Sequence, residues 1–420
     1  MITFFVSALK IIFVLGFLIL IHEGGHFFVA KFCKVRVNEF SIGFGPVIWK
    51  KQGKETKYTL RLIPLGGFVN LEGEEEYSQK EGSFSKASIP KRIAIVLAGG
   101  IVNIVFAIVV YFILTTSIGN NSTLIIKETI PEYAAQQVGM IENDEIIKIN
   151  GKRVNIKTDI DEILKKSNGE EMTITIKRNE EEIDIKLKPT AIPYKNTGIY
   201  LKSISSGENT KIITVDANST AEKNGLKAND EIIKINGKDV KNQTEIIDII
   251  NQEDYETLNF IVKRENEEIN IQLQSDTNYY YYLGVYFKTA ENTFLNNMYY
   301  ASFQTRDFCF SIFNNLKMLF VGEVRVDQFM GPVGISEVVA NTNQIKDFIY
   351  ILALISLSLG VTNLLPIPAL DGGKFVLLVI EAVRRKRLSE KVEINIQLIG
   401  FALLIALSIY VTYNDILRIL

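Results

Sequence analysis

His22, Glu23 and His26 stand in the order H-E-x-x-H within Leu20-Ile21-His22-Glu23-Gly24-Gly25-His26-Phe27. On a helix, positions i and i+4 share a face, so both imidazoles can reach one metal ion. Glu23 lies beside them and can act as a general base on water activated by that metal. The chain has no other histidine, so a third protein ligand has to be Asp, Glu or Cys. Cys33 falls on the same helical face but about 10 Å further along the axis, too far to share the ion. The missing ligand must come from another element.

The surroundings of the motif are unusual. Ile11 to Leu20 carry no charge, and Phe27 to Ala30 continue the apolar run. A bare carboxylate at such depth costs about 2.5–3.5 kcal/mol on insertion scales, so ionisable groups there are usually functional. The span has no basic leader and no small-residue cleavage pattern before Lys31, which argues against a signal peptide.

The elements that must position these residues follow from the charge pattern. The chain has 420 residues and a formal net charge of −2. That balance gives no basis for nucleic-acid binding. Apolar residues collect near both ends and charged residues dominate the middle, the profile of a membrane protein carrying a polar insert. Cys33 and Cys309 are far apart and make neither a disulfide framework nor a zinc knuckle.

A first span over about Ile11–Ala30 is long enough to cross a bilayer. The segment from Lys31 to Arg92 is rich in Lys and Arg and is expected in the cytosol by the positive-inside rule. Within it, Tyr58 to Leu71 reads as a strand, a turn at Pro64-Leu65-Gly66-Gly67 and a second strand. Such a hairpin is either an ordinary surface feature or an edge to which an extended peptide adds. A second span, Ile93–Ile118, contains Ala98-Gly99-Gly100, which permits close helix approach, and Asn103, which can hydrogen-bond across a helix interface.

Residues 121 to 275 contain an internal repeat. Asn143-Asp144-Glu145-Ile146-Ile147-Lys148-Ile149-Asn150-Gly151-Lys152 recurs as Asn229-Asp230-Glu231-Ile232-Ile233-Lys234-Ile235-Asn236-Gly237-Lys238. Each copy reads as a short helix with a C-cap glycine (Gly139, Gly225), a strand, an Asn-Gly turn and another strand. The pattern resembles PDZ domains, which bind peptide ends by strand addition. Tyr279 to Tyr282 have an interfacial composition. Asn296–Val321 is expected to be an amphipathic helix on or near the outer surface rather than a span, followed by a break at Gly331-Pro332-Val333-Gly334. A third span begins near Phe348 and ends at Pro366 and Pro368, which disrupt a helix; irregular backbone at that depth is tolerated where it lines a cavity. Asp371 sits at the break and is the natural third ligand. Arg384-Arg385-Lys386-Arg387 place the next loop in the cytosol, and a fourth span covers about Ile394–Val411.

On these residues the chain resembles the site-2 protease family of intramembrane zinc metalloproteases, closest to the bacterial RseP/RasP type that cuts anti-sigma factors. His22-Glu23-Gly24-Gly25-His26 matches the family's H-E-x-G-H. Asn363-Leu364-Leu365-Pro366-Ile367-Pro368-Ala369-Leu370-Asp371-Gly372 matches its N-x-x-P-x-P-x-L-D-G, and Gly331 to Gly334 match its G-P-V-G. Gly24 stands where a larger apolar residue is usual, and Gly100 where a proline is common. Adjacent glycines weaken a helix by about 1 kcal/mol each.

The resemblance implies a polytopic α-helical membrane protein of about four transmembrane helices. It carries a membrane-associated β-hairpin and an inserted extracytoplasmic tandem of α+β PDZ domains. The expected parts are 1–118 (first half of the core), 121–190 and 192–275 (PDZ domains), 276–345 (post-PDZ region) and 346–420 (second half). It implies Zn2+ held by His22, His26 and Asp371, Glu23 as catalytic base, and Asn363, Pro366, Pro368, Gly66 and Gly67 contacting substrate. The implied setting is the bacterial plasma membrane. The implied partners are the lipid bilayer and single-span membrane proteins already trimmed by another protease, such as anti-sigma factors or remnant signal peptides, with no nucleic acid. The reading from another class is a non-catalytic PDZ adaptor with a structural metal site; an intact Glu23, of no use to a structural site, argues for catalysis.

Overall fold

The computed structural model describes all residues except Met1, Glu75, Asn120, 202–209, Ala217, 252–256, Ser275, 323–329, Asn343 and Leu420. The chain forms two compact units. One is Met1–Ile118, Thr293–Val321 and Phe329–Tyr413; the other is Gly119–Asn292, Gly322–Gln328 and Asn414–Leu420.

The first unit opens with α1 (Ile2–Phe32), then strands β1 (Val37–Gln52) and β2 (Lys57–Leu71), then α2 (Ile89–Ile118). Gly24 and Gly25 do not interrupt α1, because packing supplies what propensity lacks. A Cβ on Gly25 would lie 2.7 Å from the Ala98 carbonyl oxygen, so α1 and α2 meet backbone to backbone there. The β ribbon folds back on itself: residues 57–60 and 67–70 pair on opposite sides of 39–42, so the chain turns between them as the strand–turn–strand reading of 58–71 expects. Pro64 to Gly67 fall within the continuous range of β2, at this bend, and a second, tight turn is at Gly53–Thr56, closed by Gly53 N–H donating to Thr56 O at 2.9 Å. β1 and β2 pair antiparallel, Gln52 opposite Lys57 and Val37 opposite Leu71. The register breaks between Phe44/Ile63 and Ile42/Gly67, and Gly66 takes up the bend at φ +121°. Phe44, Val47, Ile48, Trp49, Leu62 and Ile63 stay exposed on the ribbon.

The second unit is built on the repeat. Its first copy comprises β3 (Ser122–Thr129), α3 (Ala134–Gln137), β4 (Glu145–Ile149), β5 (Lys152–Arg153), α4 (Lys157–Lys166), β6 (Met172–Arg178) and β7 (Glu181–Leu187). Strand β8 (Thr190–Asn196) leads to the second copy. That copy comprises β9 (Ile199–Leu201), β10 (Ile212–Val215), α5 (Thr220–Lys223), β11 (Glu231–Ile235), β12 (Lys238–Asp239), α6 (Gln243–Ile250), β13 (Thr257–Arg264) and β14 (Glu267–Gln274). Both Asn-Gly pairs have positive φ at each residue, as a type I′ turn requires. Each copy has its own apolar core, around Ile146, Ile174 and Ile160 in the first and Ile232, Phe260 and Ile246 in the second. Each also buries one equivalent carboxylate. Arg178 donates to Asp144 Oδ1 and Oδ2 at 2.7 and 2.8 Å, and Arg264 donates to Asp230 at 2.6 and 2.7 Å. The same guanidiniums reach the C-cap glycine carbonyls, Gly139 O and Gly225 O.

Residues 276–289, which follow the repeat in sequence, are also β-structure in this unit. β15 (Asp276–Tyr282) pairs with β8, and the Tyr280 ring stacks on Tyr194 at 3.9 Å, so the tyrosine run is a strand. β16 (Val285–Thr289) pairs with β3, giving the sheet order β16-β3-β4-β6-β7. Leu283, Val285 and Phe287 join the first copy's core. The first copy is therefore completed by a strand on the far side of the second, a long-range pairing that local periodicity does not signal.

The chain then returns to the first unit with α7 (Phe294–Val321), α8 (Pro332–Asn341), α9 (Ile345–Asn363), α10 (Asp371–Arg384) and α11 (Glu390–Ile419). α7 is the helix expected over Asn296–Val321, and it is not among the helices apolar enough to cross a membrane. Asn297 donates to Thr116 Oγ1 at 3.0 Å, and Ala301, Phe308 and Ile312 share an apolar cluster with Ala107, Leu114 and Leu357, so one face of α7 packs along α2 and α9. Its interrupting charges, Arg306 and Asp307, pair with each other at 2.6 Å. Among the described residues, four helices are long and apolar enough to cross a membrane: Val6–Phe32, Ile89–Ile118, Ile345–Asn363 and Glu390–Leu417.

Candidate metal centre

The helical period of α1 puts His22 and His26 on one face, their rings edge to face with centroids 4.9 Å apart. Asp371 reaches them from the first turn of α10, where the helix N-terminus favours a carboxylate. Getting it there depends on the loop before α10. α9 ends at Asn363, the chain turns through Pro366 and Pro368, and Ala369 adopts a left-handed conformation at φ +72°. Its N–H donates to Gln397 Oε1 of α11 at 2.6 Å. A Cβ on Gly372 or Gly373 would run into the carbonyls of Leu364, Leu365 and Ile367, so the D-G-G sequence lets α10 start against its own preceding loop. Lys374 then bonds Glu74 at 2.8 Å, whose carboxylate holds the ammonium above its usual value. Arg92 of α2 bonds Glu381 at 2.8 Å near the other end of α10.

Asp371 Oδ2 lies 3.2 Å from His22 Nε2 and 3.3 Å from His26 Nε2, and the two nitrogens are 3.3 Å apart. Among the described residues these form the group of His, Cys, Asp and Glu able to hold a metal. The triangle fits zinc. Tetrahedral ligands at about 2.0–2.1 Å from the ion stand about 3.3 Å from one another. Asp371 Oδ2 is buried without a hydrogen bond, an orphan that a cation would satisfy. His26 Nδ1 faces Ile95 O at 2.8 Å, so the ring carries its proton on Nδ1 and turns the Nε2 lone pair inward.

α2 forms the opposite wall. A Cβ on Gly99 would collide with His26 Nε2 and sit 2.8 Å from His22 Nε2. Glu23 lies outside the triangle, next to β2: a Cβ on Gly67 would come 3.4 Å from Glu23 Cγ. Gly66 packs against the Phe44 ring. Of the other residues singled out by sequence, Asn363 is half-buried at the end of α9, Pro366 is exposed, and Pro368 packs on Gly400 of α11. Among the described residues, no hydrogen bond or ion pair joins these three to the ligand triangle. A cavity of about 930 Å3 lies beside Ala369, Lys374, Gln397 and Arg92 but includes neither histidine. Sequence reasoning did not find the Glu74–Lys374 and Arg92–Glu381 pairs; lone charges at helix ends carry no signal for their partners.

Two imidazoles and a carboxylate beside a free glutamate, carried partly on membrane-length helices, define a metallopeptidase-type centre. Residues 10–407 match the model of Peptidase family M50, and the chain belongs to that family. It is a zinc-dependent protease. It is 31% identical to a "Putative zinc metalloprotease" of Vibrio cholerae, over 97% of this chain and 98% of the relative. It is 30% identical to the "Regulator of sigma E protease" of Haemophilus influenzae, over 97% and 98%. A solved PDZ domain of HtrA3 with a phage-derived ligand aligns with 21% of this chain and 92% of its own, at 17% identity and a TM-score of 0.20.

Proposed function

We propose that the chain cleaves single-span membrane proteins, anti-sigma factors among them, at a peptide bond in or near the transmembrane segment, using His22, His26 and Asp371 as zinc ligands and Glu23 as general base. The observation that carries this reading is the ligand triangle with Glu23 beside it, on α1 and next to the β2 ribbon. Zinc, when bound, supplies a Lewis acid that acidifies water and polarises a carbonyl. Glu23 takes the proton from the attacking water and returns it to the leaving amine.

A helical substrate hides its peptide bonds in its own hydrogen bonds, so it has to unwind before cleavage. Strand β2 near Gly66 and Gly67, adjacent to Glu23, offers backbone partners to an extended segment. In this reading Asn363, Pro366 and Pro368 contact the same segment. The two repeats are PDZ domains facing the extracytoplasmic side of a bacterial plasma membrane. They admit substrates already shortened by another protease.

Glu23→Gln tests the reading. Zinc content should stay at the wild-type level while cleavage of a membrane-anchored reporter falls by about 10²–10⁴-fold. The inactive protein should also retain uncut substrate when purified from its membrane. Wild-type cleavage by the zinc-loaded variant would remove Glu23 from the mechanism.

A further inference from the structure

His26 has its inner tautomer fixed by a backbone carbonyl. His22 needs the same service, and the residue facing its Nδ1 is Asn103. The Asn103 side-chain amide lies 3.3 Å from His22 Nδ1, recorded with Nδ2 toward the ring. In that orientation the amide donates to Nδ1, and a neutral ring then carries its proton on Nε2, the atom that has to bind the ion. The other amide atom, Asn103 Oδ1, is buried with no hydrogen-bond partner. Asn103 itself is 0% exposed. Turning the amide over corrects the tautomer and satisfies Oδ1, which then accepts the Nδ1 proton and leaves Nε2 bare, while Nδ2 takes the place Oδ1 held.

We infer that Asn103 is the positioning residue for His22, accepting its Nδ1–H through Oδ1 and so fixing the tautomer and ring angle that present Nε2 to zinc. The inference rests on the zinc-site reading above. Its place on α2 supports it. Ile95, Gly99 and Asn103 follow one another at intervals of four, one face of the helix. Ile95 O holds His26, Gly99 leaves the space, and Asn103 holds His22. Asn103 is anchored in turn, because Ser356 of α9, also fully buried, donates to its backbone carbonyl at 3.0 Å. A single residue of α2 therefore ties the ligand helix α1 to α9.

The chain has two histidines, so protein labelled with ¹⁵N-histidine gives one ring spectrum for each site residue. In the zinc-loaded wild type, both rings should show a protonated Nδ1 and a metal-bound Nε2. Asn103→Leu, close in size but without an acceptor, should lower zinc affinity about 10–100-fold by chelator competition and alter the His22 ring signals alone. Asn103→Asp keeps the acceptor and should restore both. A wild type that binds zinc with His22 protonated at Nε2 would overturn the inference, and so would an Asn103→Leu protein with unchanged affinity and ring spectrum. If Asn103→Leu does not fold, the wild-type spectrum and the Asp variant still decide. A wild type that takes up no zinc would instead refute the zinc-site reading, a separate outcome.

Discussion

Gly99 of α2 faces Nε2 of His26 so closely that the smallest side chain would occupy the place of the ion. Gly99→Ala should therefore abolish zinc binding although alanine favours the helix by about 1 kcal/mol. Circular dichroism of the purified protein should show unchanged helix while its zinc content falls to background. Retained stoichiometric zinc would mean that α2 is not the wall of the site.

Asp371 joins the two ends of the chain at His22 and His26. Asp371→Ala should remove zinc and cleavage together, and Asp371→Asn should be nearly as damaging, since a neutral amide is a poor zinc ligand. The repeats should stay folded in both variants because each has its own core. Zinc analysis and reporter cleavage on the same preparation check this; a zinc-loaded, active Asp371→Ala protein would send the search for a third ligand elsewhere.

The ligands were legible because each carries an individual signal. The helix period pairs His22 with His26, the absence of any other histidine forces an acidic or thiol third ligand, and prolines next to Asp371 mark a helix broken at membrane depth. Asn103 was visible only as a polar residue in an apolar span, with its partner unknown. The rest depended on distant pairing. Nothing local in Val285–Thr289 names Ser122–Thr129 as its neighbour. For α7, the mutual pairing of Arg306 and Asp307 is likewise not visible in sequence.

The two repeats predict an asymmetry between partners of one ion pair. The Asp144 side chain is 0% exposed and that of Arg178 28%. Arg178→Ala strands a buried carboxylate and should cost about 3 kcal/mol. Asp144→Asn keeps an acceptor for the Ile141 N–H, and Arg178 can turn to water, so the loss should be about 1 kcal/mol. Limited proteolysis within residues 130–280 across a urea series should give the lower midpoint for Arg178→Ala. Equal midpoints would show that burial does not govern the pair.

Orientation in the membrane is checked by cysteine labelling. An impermeant thiol reagent applied to intact cells should modify a cysteine placed at Asn229 and miss one placed at Lys54. The opposite pattern would invert the topology drawn from the basic loops.

The pairing of β16 with β3 sets an order of events during synthesis. A chain emerging from its N-terminus exposes β3 to β7 first, yet these strands lack the partner that closes their sheet until Val285–Thr289 appears. The second repeat draws its core from residues 199–273 and is complete before that moment. The later-made domain thus finishes first, reversing the usual N-terminal precedence. In the interval β3 presents an open strand edge, the kind of surface that pairs with wrong partners. The vulnerable stage in the biogenesis of this chain is the wait for five residues that arrive after an entire second domain has been synthesised.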